Sequence, residues 1–459
     1  MTTPPEGTPA PAMSDRPNIL LIMADQMAAH MMSNAGNPDL STPALDRLAT
    51  EGTRMDRAYV TFPLCVPART SLLTGQYPHT LGVTSNDVTS DVLGPDSLGH
   101  LLEGSGYQCA YAGKWHAVQP SAEPGDGFEP IKDFGDRGLT EAVDRFLTTG
   151  RDPDRPFFLV ASFDDPHTIC EYARDQPLYY GDTPAAPLRE TPNLPPNFGR
   201  QPFEPQALRQ EQHDQAKVYG TSDYTPEDWR HYRYAYARLV ERMDARVGEL
   251  LDMLDRAGLA QDTVVIFTSD HGDGDASHAW NQKTALYEEI VRVPFLVRWP
   301  GKVAAGRVDA DTLVSVCLDM LPTLAQIAQV RPEPDLPGQN LLPVLRDGEV
   351  LDRERLVVQT SFPTAAAPVT RGRAVVEHRY KYVVYSWGQH REQLHDLHAD
   401  PGEMTNLAVE SRHHAELERL RGALLDWARS TSDFQMLKRL ALPQDTPEQV
   451  VEEIYATPY

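Results

Sequence analysis

A cysteine, a proline and an arginine at close spacing are the first residues of this chain that suggest chemistry. Cys65, Pro67 and Arg69 are followed by hydroxyl side chains and Gly75, and the chain has only four cysteines. A cysteine taken alone is more often a small buried hydrophobic residue than a reactive group. The residues that the fold brings next to Cys65 must therefore decide which interpretation applies.

Side chains that can bind a metal or transfer a proton follow three continuous apolar runs of strand length. The runs and the polar residues after them are 18–24 before Asp25 and Gln26, 156–163 before Asp164 and His167, and 263–268 before Asp270 and His271. Continuous apolar runs are typical of parallel strands buried on both faces. Ligands of such sheets bind beyond the carboxyl ends of the strands. We therefore expect these side chains to meet at one edge of a sheet.

Helical patterns separate the predicted strands. Thr225, Pro226 and Asp228 have the types and spacing of a helix start, with a cap, a proline at the first helical position and a capping box. The apolar face of that helix and the residue that can end it are Leu239, Met243, Val247, Leu250, Leu254 and Gly258. Strands that alternate with helices predict an α/β fold with a large doubly wound sheet flanked by helices.

The chain divides into three predicted parts. Residues 1–16 are rich in Pro and Thr and predict a disordered tail. Residues 17–350 carry the α/β pattern of a catalytic domain, and 351–459 predict a smaller C-terminal α+β subdomain with a tail. Within that subdomain we predict antiparallel strands at 373–378 and 380–386 and a helix that carries Leu417, Leu420, Leu424 and Trp427. Residues 176–226 lack clear periodicity, and a loop of that length is either functional or disordered.

Charge and cysteine usage exclude several classes of partner and location. The 66 acidic against 42 basic residues give a net charge of −24, which argues against nucleic acid or an anionic membrane as a partner. No apolar run approaches the ~20 residues of a membrane span, and the N-terminus lacks the pattern of a signal peptide. The scattered cysteines fit a reducing compartment. We therefore expect a cytoplasmic protein.

Several motifs together resemble those of a known family. The Cys65, Pro67 and Arg69 element resembles the C-x-[PA]-x-R signal of the type I sulfatases of the alkaline phosphatase superfamily, at which a cysteine is oxidised to formylglycine. The other matching motifs, in order from about residue 16 to about residue 430, are Asp25-Gln26, Gly113-Lys114-Trp115-His116, Ser269-Asp270-His271-Gly272, Lys283 and the closing signature 395–407. The resemblance implies a mixed sheet of the alkaline phosphatase type and an enzyme that hydrolyses sulfate esters.

The resemblance also implies a modified nucleophile. A formylglycine-generating enzyme would convert Cys65 to formylglycine (3-oxoalanine). One oxygen of the hydrated aldehyde, a gem-diol, would attack sulfur, and the second hydroxyl would lose its proton and expel sulfate. A thiol offers no such route for release of sulfate. Cys65 would then be the precursor of the nucleophile, with Pro67 and Arg69 as part of the signal for its conversion.

One divalent metal ion completes the implied site. Its ligands would be Asp25, Gln26, position 65, Asp270 and His271. Oxygen ligands favour Ca²⁺ or Mg²⁺, whereas the histidine nitrogen suits Mn²⁺ or Zn²⁺ better. The family resemblance implies Ca²⁺. Gln26 departs from the aspartate that is frequent in the family, and its neutral amide would bind a cation more weakly.

The remaining site residues receive roles from the same resemblance. Arg69 and Lys114 would stabilise the oxyanion and a sulfate oxygen. His116 would accept the proton of the diol when sulfate leaves. His167 and Lys283 would bind the ester and protonate the departing oxygen. Asn86 and His278 are weaker candidates for substrate binding.

The substrate is left open at this stage. A small anionic sulfate ester of a sugar, an aryl alcohol or choline fits the site. Tyr179, Tyr180 and Trp280 would either stack on the alcohol half or serve as packing residues. The rival hypotheses are a phosphonate monoester or phosphodiester hydrolase of the same superfamily and a non-catalytic sulfoglycan-binding relative. A homo-oligomer is possible, because the tail at 431–459 is long enough to reach a neighbour.

Overall fold

A mixed eight-stranded sheet forms the centre of the protein. The computed structural model describes residues 16–88, 92–94, 96–118, 126–332, 336–362 and 369–456. The strands of all its sheets, in chain order, are β1 (Asn18–Asp25), β2 (Thr53–Met55), β3 (Ala58–Tyr59), β4 (Gln108–Gly113), β5 (Glu129–Lys132), β6 (Phe157–Pro166), β7 (Thr263–Ser269), β8 (Phe295–Arg298), β9 (Arg307–Asp309), β10 (Val314–Ser315), β11 (Arg355–Phe362), β12 (Thr370–Glu377), β13 (Tyr380–Tyr385) and β14 (Glu392–Asp396). The order in the main sheet is β5-β4-β6-β1-β7-β8-β2-β9. The predicted fold class is confirmed.

The sheet is mixed because one strand inside it runs against its neighbours. Strands β4, β6, β1 and β7 are parallel, whereas β8 is antiparallel to both β7 and β2. All eight residues of β1 except Asn18 are buried, as are all residues of β6 and β7. The continuous apolar runs of the sequence therefore correspond to the three central strands, as predicted.

Helices cover both faces of the main sheet, and those described after residue 413 pack against strands β11–β14 instead. They are α1 (Pro43–Glu51), α2 (Cys65–Thr74), α3 (Leu98–Gly104), α4 (Leu139–Arg145), α5 (Ile169–Ala173), α6 (Gln206–Val218), α7 (Pro226–Arg256), α8 (Glu288–Val291), α9 (Val316–Ile327), α10 (Leu342–Asp347), α11 (His414–Ser430), α12 (Phe434–Leu437) and α13 (Glu448–Ala456). Alternate residues of β1 enter two separate cores: Leu21 packs with residues of α2 and α9, and Leu20 packs with residues of α7. This division is what a doubly wound sheet requires.

Helix α7 has the start that the sequence predicts. The Thr225 side chain accepts a hydrogen bond from the backbone of Asp228, and the Asp228 side chain accepts one from the backbone of Thr225. The predicted apolar face is buried throughout. The helix ends at Arg256, and Gly258 follows with a φ of 69°.

Residues 176–226 contain a helix that the sequence pattern does not reveal. Helix α6 buries Leu208 together with three polar side chains, Glu211, Gln212 and Gln215. A helix that buries amides and a carboxylate on its inner face has no clear hydrophobic period. Its polar contacts replace the apolar stripe: Gln215 donates to the Thr284 hydroxyl at 2.7 Å, and Gln212 donates to the His278 carbonyl at 2.8 Å.

The C-terminal part contains the predicted antiparallel sheet and helix. Strands β11 to β14 pair in order, and α11 packs Leu417, Leu420 and Leu424 against them. Helices α12 and α13 fold back onto the same core through Met436 and Ile454. The residues of these two helices, as far as residue 456, therefore pack within the C-terminal subdomain. The boundary at residue 350 and the homo-oligomer stay predictions, and residues 1–15 of the predicted tail lie outside the described range.

Gly113 and Gly258 both have a positive φ, and a comparison of the two tests how closely β4 must approach β6 beside the site. Gly113 ends β4 with a φ of 95°, and a Cβ there would lie 2.1 Å from the Ser162 carbonyl oxygen. Gly258 also has a positive φ, but a Cβ there would meet nothing within 4 Å. We expect Gly258→Ala to lower the free energy of unfolding by about 1 kcal/mol through backbone strain alone.

Gly113→Ala should cost about 3 kcal/mol or more, because the strand must also move away from β6. That movement would displace Lys114, so activity should fall as well. Urea unfolding followed by circular dichroism measures both variants. Equal costs for the two substitutions would show that the close approach at Gly113 is unimportant.

Candidate active site

Four parallel strands deliver their polar residues to one edge of the sheet. Along the order β4-β6-β1-β7, these are Lys114 after β4, Asp164 near the carboxyl end of β6, Asp25 at the end of β1 and Asp270 after β7. All four side chains are buried. The sequence prediction that these strand ends converge agrees with the observed geometry.

Cys65 reaches the same edge from a helix. It is the first residue of α2, a helix in which every residue is buried. The Val66 backbone N–H donates to the Asn86 side-chain oxygen at 3.1 Å and so satisfies one free donor of the first turn. The partial positive charge of a helix N-terminus favours negative charge at this position.

Three side chains surround the Cys65 sulfur. Lys283 Nζ lies 3.1 Å from Sγ, His271 Nε2 lies 3.3 Å from it, and Asp25 Oδ1 lies 4.0 Å from it. Burial and Asp25 raise the pKa of the thiol, but Lys283 and His271 outweigh them, so that the pKa is well below its usual range. The cysteine is therefore placed among charges, which distinguishes it from a cysteine that serves only for packing.

Two buried carboxylates share the cations beside them. Arg69 Nε donates to Asp270 Oδ2 at 2.7 Å, and Arg69 Nη2 donates to Asp25 Oδ2 at 3.1 Å. Lys114 Nζ lies 2.8 Å from Asp25 Oδ2 and 2.8 Å from Asp164 Oδ1. Burial raises the pKa of Asp25, but Lys114 and Arg69 hold it well below its usual range. Buried carboxylates of this kind persist in the charged form only when they are paired.

The other oxygens of the two carboxylates face a common centre with Cys65. His271 Nε2 lies 3.9 Å from Asp25 Oδ1 and 3.8 Å from Asp270 Oδ1. The candidate ligand atoms of Asp25, Cys65, Asp270 and His271 all lie within 4.8 Å of one another. Ligand atoms 2.0–2.6 Å from one ion are separated by about 3 to 5 Å. The four residues therefore fit a single divalent cation.

The second nitrogen of His271 fixes which atom faces the centre. Nδ1 donates to the Gly272 carbonyl at 2.9 Å, so Nε2 is the nitrogen with a free lone pair. Metal-binding histidines are usually oriented by such a bond from the other ring nitrogen. Burial lowers the pKa of His271, and Asp270 raises it enough to give a net increase.

Gln26, the fifth predicted ligand, has its side-chain nitrogen turned to a neighbouring acid. Nε2 donates to Asp273 Oδ2 at 2.7 Å, and the backbone N–H donates to Asp270 Oδ1 at 3.1 Å. Its side-chain oxygen accepts from the Cys170 thiol at 3.7 Å. Gln26 thus orients Asp270 through its backbone, and its role as a metal ligand stays a prediction.

The predicted acid and base residues lie around the sulfur in different environments. Lys283 Nζ also lies 3.2 Å from His167 Nε2. Burial lowers the pKa of His167 well below its usual value, and Lys114 and Lys283 lower it further, so this imidazole is neutral. His116 is exposed, with a φ of 40°, and a hydrogen bond from its side chain to Cys65 helps to lower the thiol pKa.

The two weaker substrate-binding candidates have other surroundings. Asn86 is exposed and caps α2, as described above. The His278 ring stacks on Tyr287 with centroids 3.6 Å apart, and its ligand atom lies within 4.8 Å of those of Glu289 and Glu403. Lys381 makes a 2.9 Å ion pair with Glu403. The substrate-binding role of both candidates stays a prediction.

The three aromatic candidates lie in different environments. Trp280 is only 2% exposed and belongs to a hydrophobic core with Leu286 and Ile290, so it is a packing residue. The Tyr180 hydroxyl donates to Asp164 Oδ2 at 3.0 Å. Tyr179 is 55% exposed and lines a cavity beside the site.

Asp164 was expected at this edge of the sheet but received no role, and Ser162 and Glu171 were missed as members of the site. Asp164 pairs with Lys114, and the Ser162 hydroxyl accepts from Arg69 Nη1 at 2.8 Å. Glu171 lines the cavity that opens beside His167. The position of Asp164 directly after an apolar run was the available signal. Nothing in the sequence distinguishes Ser162 or Glu171 from ordinary strand and helix residues.

Comparison with known proteins gives the class to which this fold and site belong. The sulfatase family model matches residues 17–330, and a model described as the C-terminal region of N-sulphoglucosamine sulphohydrolase matches residues 276–430. A Δ4,5-hexuronate-2-O-sulfatase of Bacteroides thetaiotaomicron is 30% identical, with 94% of this chain and 92% of the relative covered. A choline-sulfatase of Rhizobium meliloti is 30% identical, with 85% and 83% covered.

Solved structures agree with the sequence comparison. A 2-O GAG sulfatase superposes with a TM-score of 0.81 at 27% identity and covers 93% of this chain and 95% of its own. A phosphonate monoester hydrolase of Agrobacterium radiobacter, with a TM-score of 0.74 at 22% identity over 91% and 96%, shares the fold.

The fold and the convergent edge thus define a hydrolase of the alkaline phosphatase superfamily. Within that superfamily, the chain belongs to the sulfatase family. It is a sulfatase, an enzyme that hydrolyses sulfate esters, and the resemblance in the sequence motifs is confirmed. Across the described residues, no helix has the length and apolar character to cross a membrane.

The geometry predicts that one charge change at the centre will weaken cation binding. Asp270→Asn keeps an oxygen beside His271 but removes its negative charge. We expect Ca²⁺ to bind this variant at least about tenfold more weakly than the unsubstituted chain, as measured by isothermal titration calorimetry. Asp347→Asn, at the end of α10, is the matched control and should bind Ca²⁺ normally. Unchanged affinity in Asp270→Asn would contradict the assignment of the centre.

Proposed function

We propose that Cys65 is converted to formylglycine and that this residue is the nucleophile for sulfate esters. The observation that carries the proposal is the position of Cys65 Sγ, within 4.0 Å of Lys283, His271 and Asp25. When hydrated, the aldehyde supplies one oxygen that attacks sulfur and a second hydroxyl whose deprotonation expels sulfate. The signal for conversion is Cys65, Pro67 and Arg69, as it stands in the sequence.

Asp25, Asp270, His271 and position 65 would hold one divalent cation, and Gln26 would complete the set through its side-chain oxygen. Oxygen donors predominate, which favours Ca²⁺ over Mn²⁺ and Zn²⁺. When bound, the cation lowers the pKa of the attacking hydroxyl and neutralises a sulfate oxygen. Cytoplasmic location and maturation by a formylglycine-generating enzyme remain part of this proposal.

Lys114 and Arg69 hold the buried carboxylates of the site in position. Arg69 is held between Asp25 and Asp270 and is 2% exposed, so it acts mainly by fixing the two carboxylates. Lys114 is fixed by Asp25 and Asp164 and lines the cavity, where its ammonium group can contact a sulfate oxygen. A fixed cation stabilises developing negative charge without reorganisation.

Lys283 supplies the proton for the departing alcohol, directly or through the neutral His167 imidazole to which it donates. Burial lowers the pKa of Lys283, but Cys65 and Asp25 raise it well above the usual value. Conversion of Cys65 removes its thiolate and one source of that increase, so Lys283 becomes a better acid in the mature enzyme. The Lys283 ammonium donates to His167 Nε2, which keeps it oriented. His116, on the exposed side, is the candidate acceptor of the diol proton.

The first test is mass spectrometry of the tryptic peptide 58–69 after co-expression with a formylglycine-generating enzyme. We expect the peptide to be about 18 Da lighter than its cysteine form. The peptides that contain Cys109 and Cys317 are internal controls and should keep their thiols. A peptide 58–69 that carries only a thiol in active protein would contradict the mechanism.

The second test concerns the proton donor. His167→Ala and Lys283→Ala should each lower kcat by about 10²-fold or more for an alkyl sulfate and by less for 4-nitrophenyl sulfate, whose leaving group needs no proton. Lys302→Ala, on the exposed surface, is the matched control. Equal losses on both esters would show that neither residue acts as the acid.

A phosphonate ester hydrolase is the remaining second candidate, because such an enzyme has the same fold. Initial rates on 4-nitrophenyl sulfate and 4-nitrophenyl phenylphosphonate distinguish the two activities. The sulfatase activity should be the faster one.

A further inference from the structure

A cavity of about 870 Å³ opens beside the residues that transfer charge and protons. Lys114, His116 and His167 form its inner wall. The alcohol half of an ester whose sulfate group contacts these residues must lie in this space. The shape and charge of the cavity therefore bear on which alcohols the enzyme accepts.

Aromatic rings line the cavity. Trp115 packs edge to face with Tyr111 at 5.0 Å, and its ring also contacts Phe128 at 6.2 Å. At the opening, Phe134 is 58% exposed and Tyr179 is 55% exposed. Large exposed rings beside a cavity are typical of a surface that a flat or apolar ligand covers. The walls thus fit an aromatic or other apolar body.

The described lining residues also carry four carboxylates and two lysines. The carboxylates are those of Asp126, Asp133, Asp164 and Glu171, and the lysines are Lys114 and Lys132. Lys114 is already paired with Asp25 and Asp164. Lys132 Nζ donates to the backbone carbonyl of Asp133 at 2.9 Å. Acidic side chains therefore outnumber basic ones in the lining of the cavity.

Glu171 is a buried carboxylate of this lining that is only loosely paired. It is 7% exposed, and its Oε1 lies 3.8 Å from Arg174 Nη1, which is a long ion pair. Burial raises the pKa of Glu171, and a hydrogen bond with its own backbone and the charge of Arg174 offset that increase only in part. A cation in the cavity would complete the pairing of this carboxylate.

The position of Glu171 relative to His167 is fixed by the backbone. The chain turns into α5 directly after β6, and Cys170 N–H donates to the His167 carbonyl at 2.9 Å. Residues four apart on a helical turn lie on the same face. Glu171 and His167 thus line the same cavity, with His167 nearer to Lys283 and position 65.

We infer that the cavity accepts an alcohol with an aromatic or apolar body that ends in an ammonium group, bound by the carboxylate of Glu171. The inference rests on the proposed function, because it places the sulfate group at Lys114, His167 and position 65. A carboxylate at the same place on the substrate would meet Glu171, Asp133 and Asp126. Anionic alcohols such as uronates are therefore disfavoured.

Three aryl sulfates with the same ring and nearly the same leaving group test the inference. They are 4-(2-aminoethyl)phenyl sulfate, 4-propylphenyl sulfate and 4-(2-carboxyethyl)phenyl sulfate. Their dissociation constants are measured by calorimetry with the Cys65→Ala chain, which cannot turn them over. We expect the ammonium ester to bind about tenfold more tightly than the neutral ester, and the carboxylate ester to bind most weakly.

Two variants in the Cys65→Ala chain assign the preference to one side chain. Glu171→Gln keeps the shape of the side chain and should reduce the preference for the ammonium ester to about twofold or less. Glu349→Gln, on an exposed loop, should leave it unchanged. Equal binding of the three esters, tighter binding of the carboxylate ester, or a preference that survives Glu171→Gln would overturn the inference.

Turnover separates this inference from the proposed function. The mature enzyme is assayed on 4-nitrophenyl sulfate, which carries neither an ammonium nor a carboxylate. Failure to hydrolyse that ester would contradict the proposed function, whereas the binding order of the three esters would still decide the role of Glu171. If turnover occurs, Glu171→Gln should raise KM for the ammonium ester with little change in kcat and should change KM for 4-nitrophenyl sulfate by a smaller factor.

Discussion

The paired burial of Asp25 and Asp270 is the constraint on which the rest of the site depends. Two carboxylates that lie this close and are fully buried repel each other unless cations stand between them. Arg69 contacts one oxygen of each, and Lys114 contacts Asp25 again. These cations occupy one side, so the remaining oxygens are directed to a common centre with His271. The contacts that offset the repulsion between the two carboxylates therefore also fix the geometry of the centre.

The sheet explains how one chain assembles such a centre from distant residues. Strands β4, β6, β1 and β7 are neighbours, and each ends at the same edge with a charged residue at or just beyond it. The first residue of α2 is added from one face of the sheet. Lys283 comes from the segment that follows Asp270 and touches both Cys65 and His167. The proposed nucleophile precursor, cation ligands and proton donor therefore share one rigid support, which limits the reorganisation needed for catalysis.

The sequence predicted the parts of this arrangement that have a local signal. The apolar runs before Asp25, Asp164 and Asp270 identified the central strands, and the Thr225 capping box identified the start of α7. Helix α6 had no such signal, because its buried face is made of amides and a carboxylate. Glu171 was missed for a related reason: its importance lies in its position beside the cavity, which depends on neighbours that only the fold brings together. His278 was a weaker candidate for substrate binding, and its ring stacks on Tyr287, in a cluster with Glu289 and Glu403.

The most direct test of the account is a crystal structure of the mature protein grown with Ca²⁺, with anomalous scattering used to locate the ion. The account predicts one calcium peak about 2.3–2.6 Å from Asp25 Oδ1 and Asp270 Oδ1, next to the modified side chain at position 65. It also predicts that Arg69 still joins the two carboxylates through their other oxygens. A calcium ion bound elsewhere, or an occupied Asp25 and Asp270 centre that lies apart from residue 65, would contradict the central claim.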